Sequence, residues 1–183
     1  MICAFRIFQL RRDIRNLTQA DKAERHVSDL LRRLRDKNYV TFDDLVDETG
    51  GFTTNVDHVV VGPGGVFAVE TKAFSVFGNG RAQINSEGAL LLSKKVAFGD
   101  PLVQTRKSAD KVSRHLESVL RRELLVDAVL VFPGWEVCNP KAETGVVVLN
   151  EGMISEFFTS RERVLSNQEI RDICSHLDRS ARS

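Results

Sequence analysis

The sequence contains few cysteines, and their positions do not suggest a disulfide scaffold or a zinc site. Its three cysteines are far apart and odd in number: Cys3, Cys138 and Cys174. A disulfide-stabilised domain carries many cysteines in a short chain, and zinc sites pair them at close spacing. The pattern here is typical of reduced thiols, so we expect a cytoplasmic protein.

Long apolar runs are also lacking. A membrane-spanning helix needs about 20 consecutive apolar residues, and no stretch of the chain approaches that length. Residues 1–10 include Arg6 and have neither a clean apolar centre nor a cleavage site. We therefore do not interpret them as a signal peptide, and we expect no membrane partner.

Strong net charge and nucleophile motifs are lacking as well. The formal net charge is +1 at pH 7, which neither indicates nor excludes nucleic acid, because local patches matter more than the total. The histidines are dispersed, and none lies near a serine or cysteine in the context of a hydrolase nucleophile. His58 adjoins Asp57 but is predicted on the opposite sheet face, as a satisfied core histidine. The turn at residues 62–65 lacks the Gly-Lys-Ser/Thr ending of a phosphate-binding loop.

What the sequence does contain is a strong hairpin signal at residues 56–72. Two runs rich in β-branched residues flank a Gly-Pro-Gly-Gly turn. With the Pro-Gly pair at the tip, strand pairing places Asp57 opposite Glu70, and alternation puts Lys72 on the same face. Directly opposed side chains lie roughly 5 Å apart at Cβ, and like charges there are destabilising. The two carboxylates therefore need a compensating positive charge, from Lys72 or from a divalent metal.

The middle of both hairpin strands is apolar on both faces. This predicts central strands in a sheet covered by helices on both sides, with the polar residues gathered at one end, where the sheet could open into a cleft. Further strands are predicted at residues 39–46, 125–132 and 145–149, with a second hairpin turning near residues 85–88. We predict an α/β (α+β) fold with a central mixed sheet.

The chain length and the lack of a linker indicate one domain. The parts we distinguish are an N-terminal extension or helix (1–17), a core (18–150) and a C-terminal helical part (151–183). The first part contains several arginines and could instead be a basic arm that touches phosphates.

Capping signals and apolar stripes predict helices at residues 18–37, 100–122 and 166–179. Their start signals are Thr18 with Asp21, Asp100 with Pro101, and Ser166 with Glu169. The stripe of the second helix runs from Leu102 to Val119.

Asp57, Glu70 and Lys72 form a D…E-x-K arrangement across the hairpin. Two carboxylates suit a hard cation such as Mg²⁺ or Mn²⁺, and the backbone carbonyl of Thr71 can supply another oxygen ligand. Such a cation would polarise a phosphate, while Lys72 would orient a water molecule and stabilise the negative charge that develops. The alternative is a structural ion pair between Glu70 and Lys72, in which case alanine substitutions would leave every activity nearly unchanged.

Two further residues lie where they could support this chemistry. Glu24 lies on or beside the buried stripe of the first helix, where it could bind a cation directly, through water or through a second ion. Taken alone, its position is better explained by a stripe-edge glutamate paired with an arginine. Gln104, in the first turn of the second helix, could hydrogen-bond a water or a phosphate, or could be an exposed helix residue.

Together these residues resemble the nuclease-related domain family. The matching segments are Ala23-Glu24-Arg25, residues 56–72, and Asp100-Pro101-Leu102-Val103-Gln104. The resemblance covers roughly residues 20–135 and implies a restriction-endonuclease-like fold with a PD-(D/E)xK-type site. It assigns metal binding to Asp57 and Glu70, catalysis to Lys72, and supporting roles to Glu24 and Gln104.

The sequence departs from the family pattern at Ala23, where glycine is usual, and at Val56, where the superfamily name has proline. A tryptophan that commonly follows the E-x-K region is also missing, since the only one is Trp135.

The resemblance implies a Mg²⁺- or Mn²⁺-dependent nuclease, an enzyme that hydrolyses phosphodiester bonds, with DNA preferred over RNA. Its expected partner is nucleic acid, and a homodimer could complete the cleft. The alternative is a non-catalytic nucleic-acid-binding or protein-interaction module on the same fold.

Overall fold

The computed structural model describes residues 2–45, 56–73, 80–85, 87–93, 95–97, 99–138 and 145–180. Its helices are α1 (Ile2–Arg32), α2 (Pro101–Leu120), α3 (Ile154–Thr159) and α4 (Asn167–Ser180), with short 3₁₀ helices at Arg33–Lys37 and Glu151–Met153. Its strands are β1 (Val40–Leu45), β2 (Val56–Gly62), β3 (Gly65–Thr71), β4 (Arg81–Ile84), β5 (Leu90–Leu92), β6 (Lys95–Val96), β7 (Val126–Val131), β8 (Glu136–Cys138) and β9 (Val146–Leu149). None of the helices in these ranges combines the length and apolar content that a membrane crossing requires.

The predicted hairpin lies at the centre of a five-stranded sheet with the order β1-β2-β3-β7-β9. Val61 pairs with Val66, and Gly62 pairs with Gly65, so the Pro-Gly pair forms the tip as predicted. Strands β7 and β9 continue the sheet in parallel from β3, whereas β1 and β2 are antiparallel. The predicted mixed sheet of an α+β fold is therefore confirmed.

Helices cover both faces of this sheet, as the doubly apolar strands predict. On one face, α2 and α4 pack over a core that includes Val59, Ala68 and Leu116. On the other face, α1 and α3 pack over a second core that includes Val60 and Phe67. The two cores bury the hairpin from both sides and leave only the ends of its strands for polar residues.

Helix α1 is longer than the sequence predicts. It runs unbroken from Ile2 to Arg32, so the start predicted at Thr18 is wrong. No proline or glycine interrupts residues 2–32, and a capping sequence does not end a helix whose preceding residues also favour it. The helix closes through the 3₁₀ turn, after which Asn38 adopts a left-handed conformation with φ of 63°. The basic-arm alternative concerns side chains of residues 1–16, which lie outside the described part.

The other two predicted helix starts are confirmed. Asp100 caps α2 by accepting a hydrogen bond from Val103 N at 3.1 Å. Before α4, Ser166 N donates to Glu169 Oε2 at 2.8 Å, and Glu169 N donates back to Ser166 Oγ. The α2 stripe ends earlier than predicted, because Val119 is 38% exposed.

A second, four-stranded sheet with the order β6-β5-β4-β8 was not predicted as a separate unit. The hairpin expected near residues 85–88 is present as its β4–β5 pair. The sheet meets the main core at Trp135, which is 8% exposed and lies against Phe132 with ring centroids 5.9 Å apart. A Cβ on Gly80 would lie 2.5 Å from the Trp135 indole, so only glycine allows this close approach.

Candidate active site

The predicted acidic residues lie together at the end of the central hairpin. The β2–β3 register, continued by one residue beyond His58 and Val69, places Asp57 opposite Glu70. Asp57 Oδ2 accepts a hydrogen bond from Thr71 N at 2.8 Å. The structure thus keeps both carboxylates at the same end of the sheet.

The ladder between β3 and β7 ends at this point. Lys72 N donates to Val131 O at 2.9 Å. The next donor to β3 would come from the residue two positions after Val131, which is Pro133 and has no N–H. Phe132 N faces the other neighbour, β9, and donates to Leu149 O. The side chain of Lys72 lies at this end of the ladder with 29% of it exposed, and its Nζ lies 3.8 Å from Glu70 Oε2.

Glu70 is held from the other side by a residue that the sequence analysis missed. Ser108 Oγ, on α2, donates to Glu70 Oε1 at 2.7 Å, and both residues are buried. Ser108 lies four residues after Gln104, so the two share a helix face. A small polar residue next to Ala109 on the apolar stripe was the signal available in the sequence.

Gln104 itself is exposed, and its side chain makes no hydrogen bond within the described part of the chain. The structure therefore places Ser108, and not Gln104, in contact with the acidic pair. Gln104 remains on the same face of α2, one turn nearer the start of that helix.

The buried position of Glu70 makes its charge costly. Burial raises the pKa of Glu70, and the negative charge of Asp57 raises it further. The hydrogen bond from Ser108, then the charges of Lys72 and His58, oppose this without cancelling it. Burial and the neighbouring carboxylate thus disfavour the ionised form of Glu70, which a bound cation would favour.

Glu24 belongs to the same electrostatic group. Burial raises the pKa of Glu24, and the charges of Asp57 and Asp44 add to the effect. Within the described part of the chain, no arginine forms an ion pair with Glu24, so the stripe-edge pair is not formed. The neighbouring Arg25 pairs instead with Asp21, at 2.9 Å.

His58 lies on the opposite face of the hairpin and is buried as predicted, but its Nε2 has no hydrogen-bond partner among the described residues, so the prediction of a satisfied histidine holds only for Nδ1. It is 3% exposed, and its Nδ1 lies 2.8 Å from Asp43 Oδ1 on β1. Asp43 Oδ2 accepts hydrogen bonds from Ser28, at 2.9 Å, and from Arg32, both on α1. Burial opposes ionisation of Asp43, but the bonds from His58 and Ser28 outweigh it and lower its pKa to about 2. This network ties α1 to the sheet beside the acids.

The donor set fits a hard divalent cation. No three histidine, cysteine, aspartate or glutamate side chains in the described ranges are arranged to hold a metal by themselves. Mg²⁺ does not need that many, because it usually keeps several waters and uses one or two carboxylates. The N–H and C=O of a strand residue face the same neighbour, so the carbonyl of Thr71, like its N–H, points toward Asp57. Asp57, Glu70 and this carbonyl are all hard oxygen donors.

This chain belongs to the nuclease-related domain family, whose model matches residues 19–133, more than half of the chain. Placement in the PD-(D/E)xK superfamily is consistent with that family. This chain is also similar to an uncharacterized protein of Bacillus anthracis. The two are 31% identical over 100 residues, which cover 53% of this chain and 46% of that protein. The aligned region thus spans about half the length of that relative. No solved structure matched significantly.

Proposed function

We propose that this protein is a divalent-metal-dependent nuclease that hydrolyses phosphodiester bonds, most favourably in DNA. The family indicates a nuclease-related function. The observation that supports catalysis is the buried Glu70, 6% exposed, beside Asp57 and Lys72 at one end of the central hairpin. A structural ion pair alone would not need a second acid there, since the added charge only raises the cost of burial.

Each residue has a distinct role in this proposal. Asp57, Glu70 and the Thr71 carbonyl would hold Mg²⁺ or Mn²⁺, with Glu24 binding through water or beside a second ion. When bound, the cation supplies Lewis-acid polarisation of the phosphate and lowers the pKa of water in the site. Ser108 fixes Glu70 in the orientation that the site requires.

Lys72 supplies the positive charge that none of the acidic residues can supply. Its ammonium can orient the attacking water toward phosphorus and stabilise the negative charge that grows on the phosphate oxygens. The water oxygen forms the new bond to phosphorus as the bond to the leaving sugar oxygen breaks, and the proton that the water gives up passes through solvent to that leaving oxygen. Gln104, exposed at the start of α2, can hydrogen-bond the water or a neighbouring phosphate.

The test is cleavage of plasmid DNA, single-stranded DNA and RNA, each with Mg²⁺, with Mn²⁺ or with a chelator. We expect cation-dependent cleavage that falls by at least about 100-fold in Lys72→Ala and Asp57→Asn, the range typical of lost electrostatic stabilisation. Lys22→Ala, at an exposed position on α1, is the matched control and should cleave normally. Thermal unfolding of each variant shows whether it is folded.

The proposal is wrong if no substrate is cut, or if the Lys72 and Asp57 variants cut as well as the parent. Binding without cleavage, with a steep salt dependence and no cation dependence, would instead indicate the non-catalytic module.

The cellular setting is part of the same proposal. We place the protein in the cytoplasm, with nucleic acid as its partner and a homodimer as a candidate assembly. Cys138 and Cys174 are free thiols, in keeping with a reducing compartment. Sedimentation of the purified protein tests the dimer directly.

A further inference from the structure

A groove runs between the end of α1 and the edge strand β1. Its volume is about 410 Å³, and its lining residues are Arg32, Arg35, Tyr39, Val40 and Thr41. Strand β1 is the outer strand of the five-stranded sheet, so alternate backbone N–H groups along it face away from β2. The groove thus combines guanidinium groups with a strand edge that can donate hydrogen bonds.

The segment that forms one wall is strongly basic. Residues 32–37 contain four cations and one acid. Arg32 is engaged by Asp43, whereas Arg35 has no ion pair or side-chain hydrogen bond within the described part of the chain and is exposed. The negative end of a helix dipole favours cations at this position. That effect explains a basic last turn, but it does not explain a concave surface with an uncompensated arginine.

The groove lies near the hairpin-tip end of β1, where Val40 pairs with Val61, and its Arg32 is linked to the acidic site by a chain of contacts. Arg32 bonds Asp43, which bonds His58, the direct neighbour of Asp57. Strand β1 connects the two places: its Leu45 lies beside Val56, next to the acids, and its Val40 lies in the groove. At about 3.4 Å per residue this distance is roughly 17 Å, which a nucleic-acid strand rising about 3.4 Å per nucleotide would cover in about five nucleotides.

We propose that this groove binds the phosphodiester backbone of the nucleic-acid strand whose scissile phosphate lies at the acids. Arg35 is the principal phosphate contact, because its guanidinium is free and matches a phosphate with two parallel N–H donors. Phosphate contacts fix the position of a strand and carry no sequence information. This inference rests on the proposed function only in assuming a nucleic-acid substrate, and not in assuming cleavage.

The experiment measures binding in the presence of a chelator, so that cleavage plays no part. We record fluorescence anisotropy with labelled DNA of about 20 nucleotides, once single-stranded and once double-stranded. The salt concentration is varied from about 50 to about 200 mM, a range over which binding through phosphate contacts weakens strongly. For Arg35→Ala we expect about tenfold weaker binding at low salt. The slope of log affinity against log salt should decrease by about 0.7 for single strands and about 0.9 for duplex. Arg35→Lys should keep most of that slope.

The matched control is Arg171→Ala, an exposed arginine on α4 on the far side of the sheet, which should bind like the parent. Thermal unfolding of each variant excludes loss of folding as the cause of weaker binding. If Arg35→Ala binds with the parental slope, the groove proposal is overturned, while cleavage assays judge the nuclease proposal independently. It is equally overturned if Arg35→Ala shifts a monomer–dimer equilibrium and leaves the slope unchanged, because the groove would then be a contact between two copies of the chain.

Discussion

Replacing Glu70 by glutamine is expected to stabilise the cation-free protein at neutral pH. Burial and the charge of Asp57 raise the pKa of Glu70 above its ordinary value near 4.5, despite the bond from Ser108 and the charge of Lys72. A raised pKa means that the folded state disfavours the ionised carboxylate. Glutamine removes the charge, keeps the Oε1 acceptor for Ser108, and has nearly the same shape.

The pH dependence of this gain has a definite sign. Below about pH 4.5 Glu70 is neutral in both the folded and unfolded states, so Glu70→Gln and the parent should be equally stable. The gain appears as pH rises through that value and is complete above the folded-state pKa. We expect a gain on the order of 1 kcal/mol in the free energy of unfolding, or roughly 2–4 °C in Tm for a chain of this size.

Cation binding should reverse the order of stability. A cation present at about 100 times its Kd stabilises the folded state by about 2.7 kcal/mol, which corresponds to roughly 5–11 °C in Tm. The parent should show this increase with Mn²⁺, and Glu70→Gln should show little of it. The assay is thermal unfolding with chelator or with Mn²⁺. It is run at about pH 4.5, 6 and 8, that is, at and above the ordinary carboxyl pKa. If Glu70→Gln is less stable than the parent at pH 8 without cation, our account of the site electrostatics is refuted.

Three further substitutions test neighbouring parts of the structure. Ser108→Ala removes a bond that lowers the pKa of Glu70, so Mn²⁺ binding measured by calorimetry should weaken more at pH 6 than at pH 8 (about one unit either side of neutrality). Asp43→Asn should cost roughly 1–2 kcal/mol at pH 7, allowing for partial exposure; the loss should shrink as pH falls from the ordinary pKa of 3.8 toward about 2 in urea unfolding curves. Tyr39→Phe removes a buried hydroxyl that donates to Phe158 O at 2.9 Å, which should cost about 2 kcal/mol of unfolding free energy.

Each of these has a control or a contrary outcome. Ser113→Ala, on the same helix but bonded to Leu124 O, should leave Mn²⁺ binding unchanged at both pH values. An Asp43→Asn deficit that persists unchanged at pH 2 (near the folded-state pKa of about 2) would contradict the role assigned to its charge. Equal urea midpoints for Tyr39→Phe and the parent would show that water replaces the lost bond.

The hairpin and the acidic pair were predictable because local rules determine both. A Gly-Pro-Gly-Gly turn between β-branched runs fixes the register, and the register fixes which residues oppose each other. The opposed positions of Asp57 and Glu70 follow from this register alone. The burial of both hairpin faces followed from Val and Phe residues at successive positions, which no half-exposed strand would carry.

What could not be predicted depends on contacts distant in sequence. Ser108 contacts Glu70 across 38 residues, and its spacing alone marks it only as a small residue on a buried stripe. The small sheet depends on pairing between β4 and β8, which are far apart in the chain and too short to give a periodic signal. The start of α1 was misplaced because a capping sequence inside a longer helical segment looks the same as one at its beginning.

The position of Trp135 gives the protein a built-in spectroscopic probe. It is the only tryptophan in the chain, and it lies where the small sheet meets the main core, against Phe132. Its emission should therefore respond to separation of the two sheets. Comparing fluorescence with far-ultraviolet circular dichroism during unfolding would reveal whether the small sheet detaches before the five-stranded sheet melts.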